Sequence, residues 1–212
     1  MSHIVSFLSP KGGTGKSTLA ICIARALVTL GHSVALIDSD TQGTALYWQA
    51  LSDTRYGFNV TEGASPPALQ QAVDQASTEF VLIDGCAKAS TMMLKALRLS
   101  DLVLIPVTAG GPDAWASLTL FQTVKAHQAA HGGKPIVAAI INRANKRTRM
   151  FRELVRFLDD EGIDRANGQI SERTAIGASI GDGSTPFDAK PRDSNAMAEL
   201  RYLSKQIVEV FA

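Results

Sequence analysis

Ile4, Val5, Phe7 and Leu8 form an alternating apolar run that reads as a buried strand. After ten small and polar residues, Leu19, Ile21, Ile23, Ala24, Leu27 and Val28 recur near helical spacing, up to a stop at Gly31. Further apolar runs over 33–37, 80–84, 101–107 and 134–141 predict strands, with shorter ones over 58–60 and 167–172. Helices are predicted over 44–51, 66–77 and roughly 113–131. A final helix starts at about Asp193, where Met197, Leu200, Leu203, Ile207 and Val210 make one apolar stripe suited to packing on a sheet. Strands alternating with helices of this length predict an α/β fold: a doubly wound, mainly parallel sheet flanked by helices.

At 212 residues and 45% hydrophobic content, residues 1–212 are expected to form a single domain with a substantial core. The formal net charge of +1 gives no global attraction to nucleic acid or membrane, so any such affinity must come from a local patch. The two cysteines, Cys22 and Cys86, suit a reducing compartment better than a disulfide framework. No signal peptide is visible and no apolar run approaches the roughly 18–20 residues of a membrane span. The expected location is the cytoplasm, with no membrane partner.

The loop between the first strand and first helix, Ser9-Pro10-Lys11-Gly12-Gly13-Thr14-Gly15-Lys16-Ser17-Thr18, carries the chemistry. Successive backbone N–H groups and a helix N-terminus make an anion cradle. Glycines let the backbone curl around phosphates without Cβ clashes. Lys16 should reach the β/γ-phosphates and the Ser17 hydroxyl should ligate Mg²⁺, although Pro10 stands where the P-loop pattern has its first glycine. Lys11 gives the loop a second cation; on the loop alone, it could equally face solvent.

Two acidic segments follow. Asp38-Ser39-Asp40-Thr41-Gln42-Gly43 falls after a strand, on the edge where open α/β sheets bind ligands. Phe80-Val81-Leu82-Ile83-Asp84 has the form of a Walker B strand, whose aspartate holds Mg²⁺ through water. Asn142 ends the strand over 134–141 on the same edge. His127 and His131 stand four apart without a third ligand, so a solvated face is the better reading. Tyr47 and Trp48 read as packing residues. Arg143, Lys146, Arg147, Arg149, Arg152 and Arg156 crowd fourteen residues, opposed by Glu153. Such a run is either a solvated helix face or a positive field for phosphate backbones; Arg147, Arg149, Arg152 and Arg156 are the candidate DNA contacts.

Lys11-Gly12-Gly13-Thr14-Gly15-Lys16-Ser17, Asp38-x-Asp40-x-Gln42, the strand ending in Asp84 and the late Gly181–Phe187 segment together resemble the ParA/MinD family of deviant Walker A P-loop ATPases. The chain looks most like a small ParA-type partition ATPase without an N-terminal helix-turn-helix extension. The resemblance implies ATP and Mg²⁺ as cofactors, with Gly12, Gly13, Thr14, Gly15, Lys16, Ser17 and Thr18 cradling phosphates. Lys11 would cross a dimer interface to the partner's nucleotide. Asp40 would position the attacking water, Asp38 would organise Mg²⁺ or the loop, and Gln42 would support the switch. Asn142 and Pro186 would line the adenine pocket; a turn former is the plain alternative for Asn142. Implied partners are a second copy, nonspecific DNA and a ParB-like cargo adaptor that speeds hydrolysis.

Two features depart from the family: Thr41 where proline is common, and Gly85-Cys86-Ala87 where Thr-Pro-Pro is common. Cys86 raises an iron–sulfur alternative, weakened because Cys22 lies on a core-like helix face. A MinD-like membrane switch and a metabolic P-loop enzyme of the dethiobiotin-synthetase kind are the rival readings.

Overall fold

A computed structural model describes residues 2–52, 56–87 and 91–212. The described strands are β1 (His3–Ser9), β2 (Val34–Asp38), β3 (Val60–Glu62), β4 (Phe80–Ala87), β5 (Leu102–Thr108), β6 (Ile136–Ala144) and β7 (Arg165–Ser171). They form one seven-stranded sheet in the order β3-β2-β4-β1-β5-β6-β7, and every pairing is parallel.

The continuous apolar runs of β1 and β4 follow from burial on both faces. Val5 and Phe7 face one core layer together with Phe80 and Leu82, while Leu8, Val81 and Ile83 face the other. The first layer is closed by α1 (Lys16–Thr29), α2 (Thr44–Leu51), α7 (Thr174–Gly181) and α8 (Ser194–Glu209). The second is closed by α3 (Pro66–Gln75), α4 (Thr91–Leu99), α5 (Gly111–Ala130) and α6 (Arg149–Asp160). Helix α1 is apolar nearly all round because it lies between the sheet and α8. Cys22, on that helix, is fully buried, and burial pushes its thiol up to about 12, which makes it a core residue.

Three expectations need correcting here. The short strand expected over 58–60 lies over Val60–Glu62, because the parallel register pairs Leu36 with Val60. Phe58 owes its apolar character to stacking on Trp48, with ring centroids 5.7 Å apart. Trp48 is buried as expected and donates its indole N–H to the Ser184 carbonyl, but Tyr47 is 67% exposed and packs into no core. Helices α4 and α7 were not anticipated.

Among the described residues no helix is long and apolar enough to cross a membrane.

Candidate functional site

Parallel strands put their C-terminal ends on one edge, and β1, β2, β4 and β6 bring the glycine-rich loop, Asp38, Asp84 and Asn142 together there. The loop is held from both ends. Ser9 at its start accepts from the Lys11 N–H and donates to the Lys11 carbonyl. Asn142, nearly buried at the end of β6, donates its amide to the Thr14 carbonyl at 2.8 Å. Gly15 caps α1 at φ 95°, a left-handed conformation costly for residues with a Cβ; such an atom would also collide with the Asn142 amide. The loop's shape therefore depends on two residues 127 positions apart in sequence.

Lys16 is buried, and its Nζ lies 3.5 Å from the Lys11 carbonyl; Lys11 itself is exposed. The Thr14 hydroxyl is buried without a hydrogen-bond partner. Such orphaned groups are rare in folded interiors and mark places where a further group belongs.

Asp38 and Asp84 are both fully buried, yet their surroundings differ. Asp38 Oδ2 accepts from the Ala45 N–H at 2.8 Å and the Leu46 N–H at 3.1 Å, and Oδ1 accepts from the Asp40 N–H. Since the α2 N-cap is Gly43, with no side chain to cap the helix, Asp38 performs that task from the neighbouring strand. Burial raises its pKa, these amides oppose the rise, and Asp40 reinforces it. Of the two expected roles, its contacts are those of loop organiser.

Asp84 has no hydrogen-bond partner at either oxygen. Burial pushes its carboxyl up to about 7; Ser17 and the Lys16 charge favour the ionised form, while Asp38 and Asp40 disfavour it. Gly85 follows, and a Cβ there would come within 2.8 Å of the Phe7 carbonyl. Asp40 is half-buried; its Oδ1 accepts from the Gln42 N–H, folding the loop back on itself, and Gln42 is exposed.

Beside the loop, a cleft of about 170 Å³ opens between Gly15, Thr18, Asn142 and the β7–α7 turn. Arg143 on its wall is the one non-glycine residue with positive φ, 51°, among the described residues. Asn142 lines this cleft while one of its amide N–H groups donates to the loop. Pro186 is buried in a segment tied to α1 through Asp188, which accepts two hydrogen bonds from Arg25 at 2.7 and 2.9 Å. Arg173 and Thr174 of the turn also line the cleft, and no pattern in the sequence marked them.

Arg147, Arg149, Arg152 and Arg156 are exposed around the start and outer face of α6. Arg149 pairs with Glu153 at 2.6 Å. His127 and His131 stack on each other at 3.8 Å on the surface of α5, and among the described residues no group of three His, Cys, Asp or Glu side chains could hold a metal. A larger cavity, about 740 Å³, lies away from the loop between α6 and β7. The loop edge, with its orphaned buried groups, is the better candidate for chemistry.

A parallel α/β sheet with this strand–loop–helix edge defines a P-loop nucleotide-binding protein. Residues 5–187 match the CobQ/CobB/MinD/ParA nucleotide binding domain, and the chain belongs to that family. It is 23% identical to the ParA protein of Rhizobium radiobacter over 212 residues, covering 98% of this chain and 96% of that one. A Borrelia burgdorferi structure described as a plasmid partition protein bound to AMPPNP is similar in fold, with TM-score 0.78, 21% identity and coverage of 99% and 100%. MinD from Pyrococcus horikoshii, complexed with Mg-ADP, superposes with TM-score 0.80 at 18% identity, covering 100% of this chain and 98% of that one.

Proposed function

We propose that the chain is a ParA-type ATPase that binds ATP with Mg²⁺, dimerises around the nucleotide, holds DNA nonspecifically and releases it on partner-stimulated hydrolysis. The observation that carries this reading is Asp84: a fully buried carboxylate that no backbone N–H reaches, with the Ser17 hydroxyl and the Lys16 ammonium as the groups that favour its charged form. An unpaired buried charge is strongly unfavourable unless a cation joins it. Ser17 and Asp84 fit Mg²⁺, with Asp38 holding the neighbouring loop. The metal would neutralise charge on the phosphates when bound.

The chain's own residues do the rest. Loop amides and Lys16 bind the phosphates, and the nucleoside takes the cleft beside Gly15 and Thr18. Asp40, on a loop of its own, accepts a hydrogen bond from the attacking water and orients it. Lys11, exposed at the loop's front, reaches the second subunit's nucleotide. The similarity to ParA of Rhizobium radiobacter along nearly the whole length of both chains favours partition or positioning over a metabolic role. The location we infer is the cytoplasm, at the nucleoid, with no membrane partner.

Steady-state phosphate release with Mg²⁺ and ATP, with and without duplex DNA, tests this reading. Slow turnover that DNA alters is expected. Fast turnover indifferent to DNA would favour a metabolic enzyme.

A further inference from the structure

β2 ends at Asp38, which pairs in register with Asp84 of β4. The next residue, Ser39, donates twice to the Asp84 carbonyl: its N–H at 3.0 Å and its hydroxyl at 2.8 Å. The N–H bond continues the ladder, needs no particular side chain and already satisfies the carbonyl. The hydroxyl bond does need one, and it is made in the interior, since Ser39 is only 1% exposed.

What the hydroxyl adds is a fixed exit for the chain as it leaves the sheet. Asp40 follows at once, its N–H held by Asp38 Oδ1 at 3.1 Å and its carbonyl by the Gly43 N–H at 2.9 Å. Asp40 therefore hangs from two anchors, the Asp38 side chain and, through Ser39, the main chain of Asp84. Groups that orient a reacting water tolerate little misplacement; a displacement of about 1 Å can cost about 100-fold in rate. We propose that Ser39 is a positioning residue for hydrolysis: its hydroxyl, bonded to the Asp84 carbonyl, fixes Asp40 relative to the Asp84 carboxylate. This role rests on the ATPase reading above and acts through Asp40, not on the nucleotide itself.

Ser39→Ala and Ser39→Thr test it against wild type, by single-turnover hydrolysis and by calorimetric ATP affinity, both with Mg²⁺. Ser39→Ala should hydrolyse at least about 10-fold more slowly while its ATP affinity changes by less than about 2-fold. Ser39→Thr keeps the hydroxyl and should recover the rate to within about 3-fold of wild type. In protein free of nucleotide and metal, amide exchange over residues 38–43 should be at least about 10-fold faster in Ser39→Ala. A smaller loss of rate, a larger loss of affinity or unchanged exchange would overturn the role. So would a folded Ser39→Thr as slow as Ser39→Ala. Alanine removes one buried atom and is expected to fold, so it decides the matter alone should threonine not fit. Wild-type protein without turnover would remove the ATPase reading itself, whereas wild-type turnover matched by Ser39→Ala would remove this role alone.

Discussion

Asp38 and Asp84 are direct neighbours in the parallel pairing of β2 with β4, both fully buried, yet three backbone N–H groups reach the first and none reaches the second. Burial raises both carboxyls; backbone amides oppose the rise at Asp38, whereas at Asp84 the neighbouring Asp38 charge adds to it. For Asp84 the sign is plain. Its folded pKa, about 7, lies above the ordinary carboxylate value of 3.8, so the folded state holds the proton more tightly. Stability should therefore fall as pH rises from about 4 to about 7 in protein free of metal and nucleotide. Thermal melts of Asp84→Asn should show a flatter profile across that window, and parallel profiles would remove the buried-charge account.

Lys16→Ala removes the buried cation at the head of α1. Affinity for ATP with Mg²⁺ should drop at least about 100-fold, corresponding to roughly 2.7 kcal/mol. Calorimetric titration reads this directly, and an unchanged isotherm would dissociate the loop from phosphate binding.

Gly15 and Asn142 form a coupled pair. Gly15→Ala should destabilise the protein by about 1–3 kcal/mol, through the positive φ and the collision with the amide. Asn142→Ala removes the collision while freeing the Thr14 carbonyl. Urea denaturation of both single variants and the double variant should show the two costs adding to more than the double variant loses. Strict additivity would mean that the amide does not press on the loop.

Arg147→Glu/Arg149→Glu/Arg152→Glu should weaken duplex DNA retention while leaving ATP affinity intact. The wild-type affinity should fall steeply with salt, by counterion release. Filter binding at several ionic strengths checks both. Unchanged retention would leave α6 a solvated face and direct attention to Lys190, Arg192, Arg201 and Lys205.

The strands that carry the site were legible because burial on both faces makes them continuous apolar runs, as in Phe80–Ile83. The loop was legible because few glycine-rich stretches join a strand to a helix with a Gly-Lys-Ser ending. Helix α4 was not anticipated, although Met93, Ala96 and Leu97 form its buried stripe. Helix α7 buries only Ile176 and Ser179 in its eight residues, too little to show a period. The support that Asn142 gives to Thr14 joins residues 128 positions apart, a relationship that no local pattern encodes. The Arg25–Asp188 pair, which anchors the segment of Pro186 against α1, joins residues 163 positions apart and is likewise invisible to any local pattern.

The most direct test of the switch combines Asp40 and Lys11. A carboxylate that orients water contributes little to ground-state affinity, so Asp40→Ala should bind ATP, fail to hydrolyse it and accumulate as a dimer. Lys11 is proposed to act across the interface, so Lys11→Ala should keep much of its ATP affinity and remain monomeric. Light scattering of Asp40→Ala with ATP and Mg²⁺ should give the mass of two chains, and adding Lys11→Ala should return it to one. A double variant that stayed dimeric would contradict the bridging role of Lys11 and the nucleotide-sandwich reading built on it.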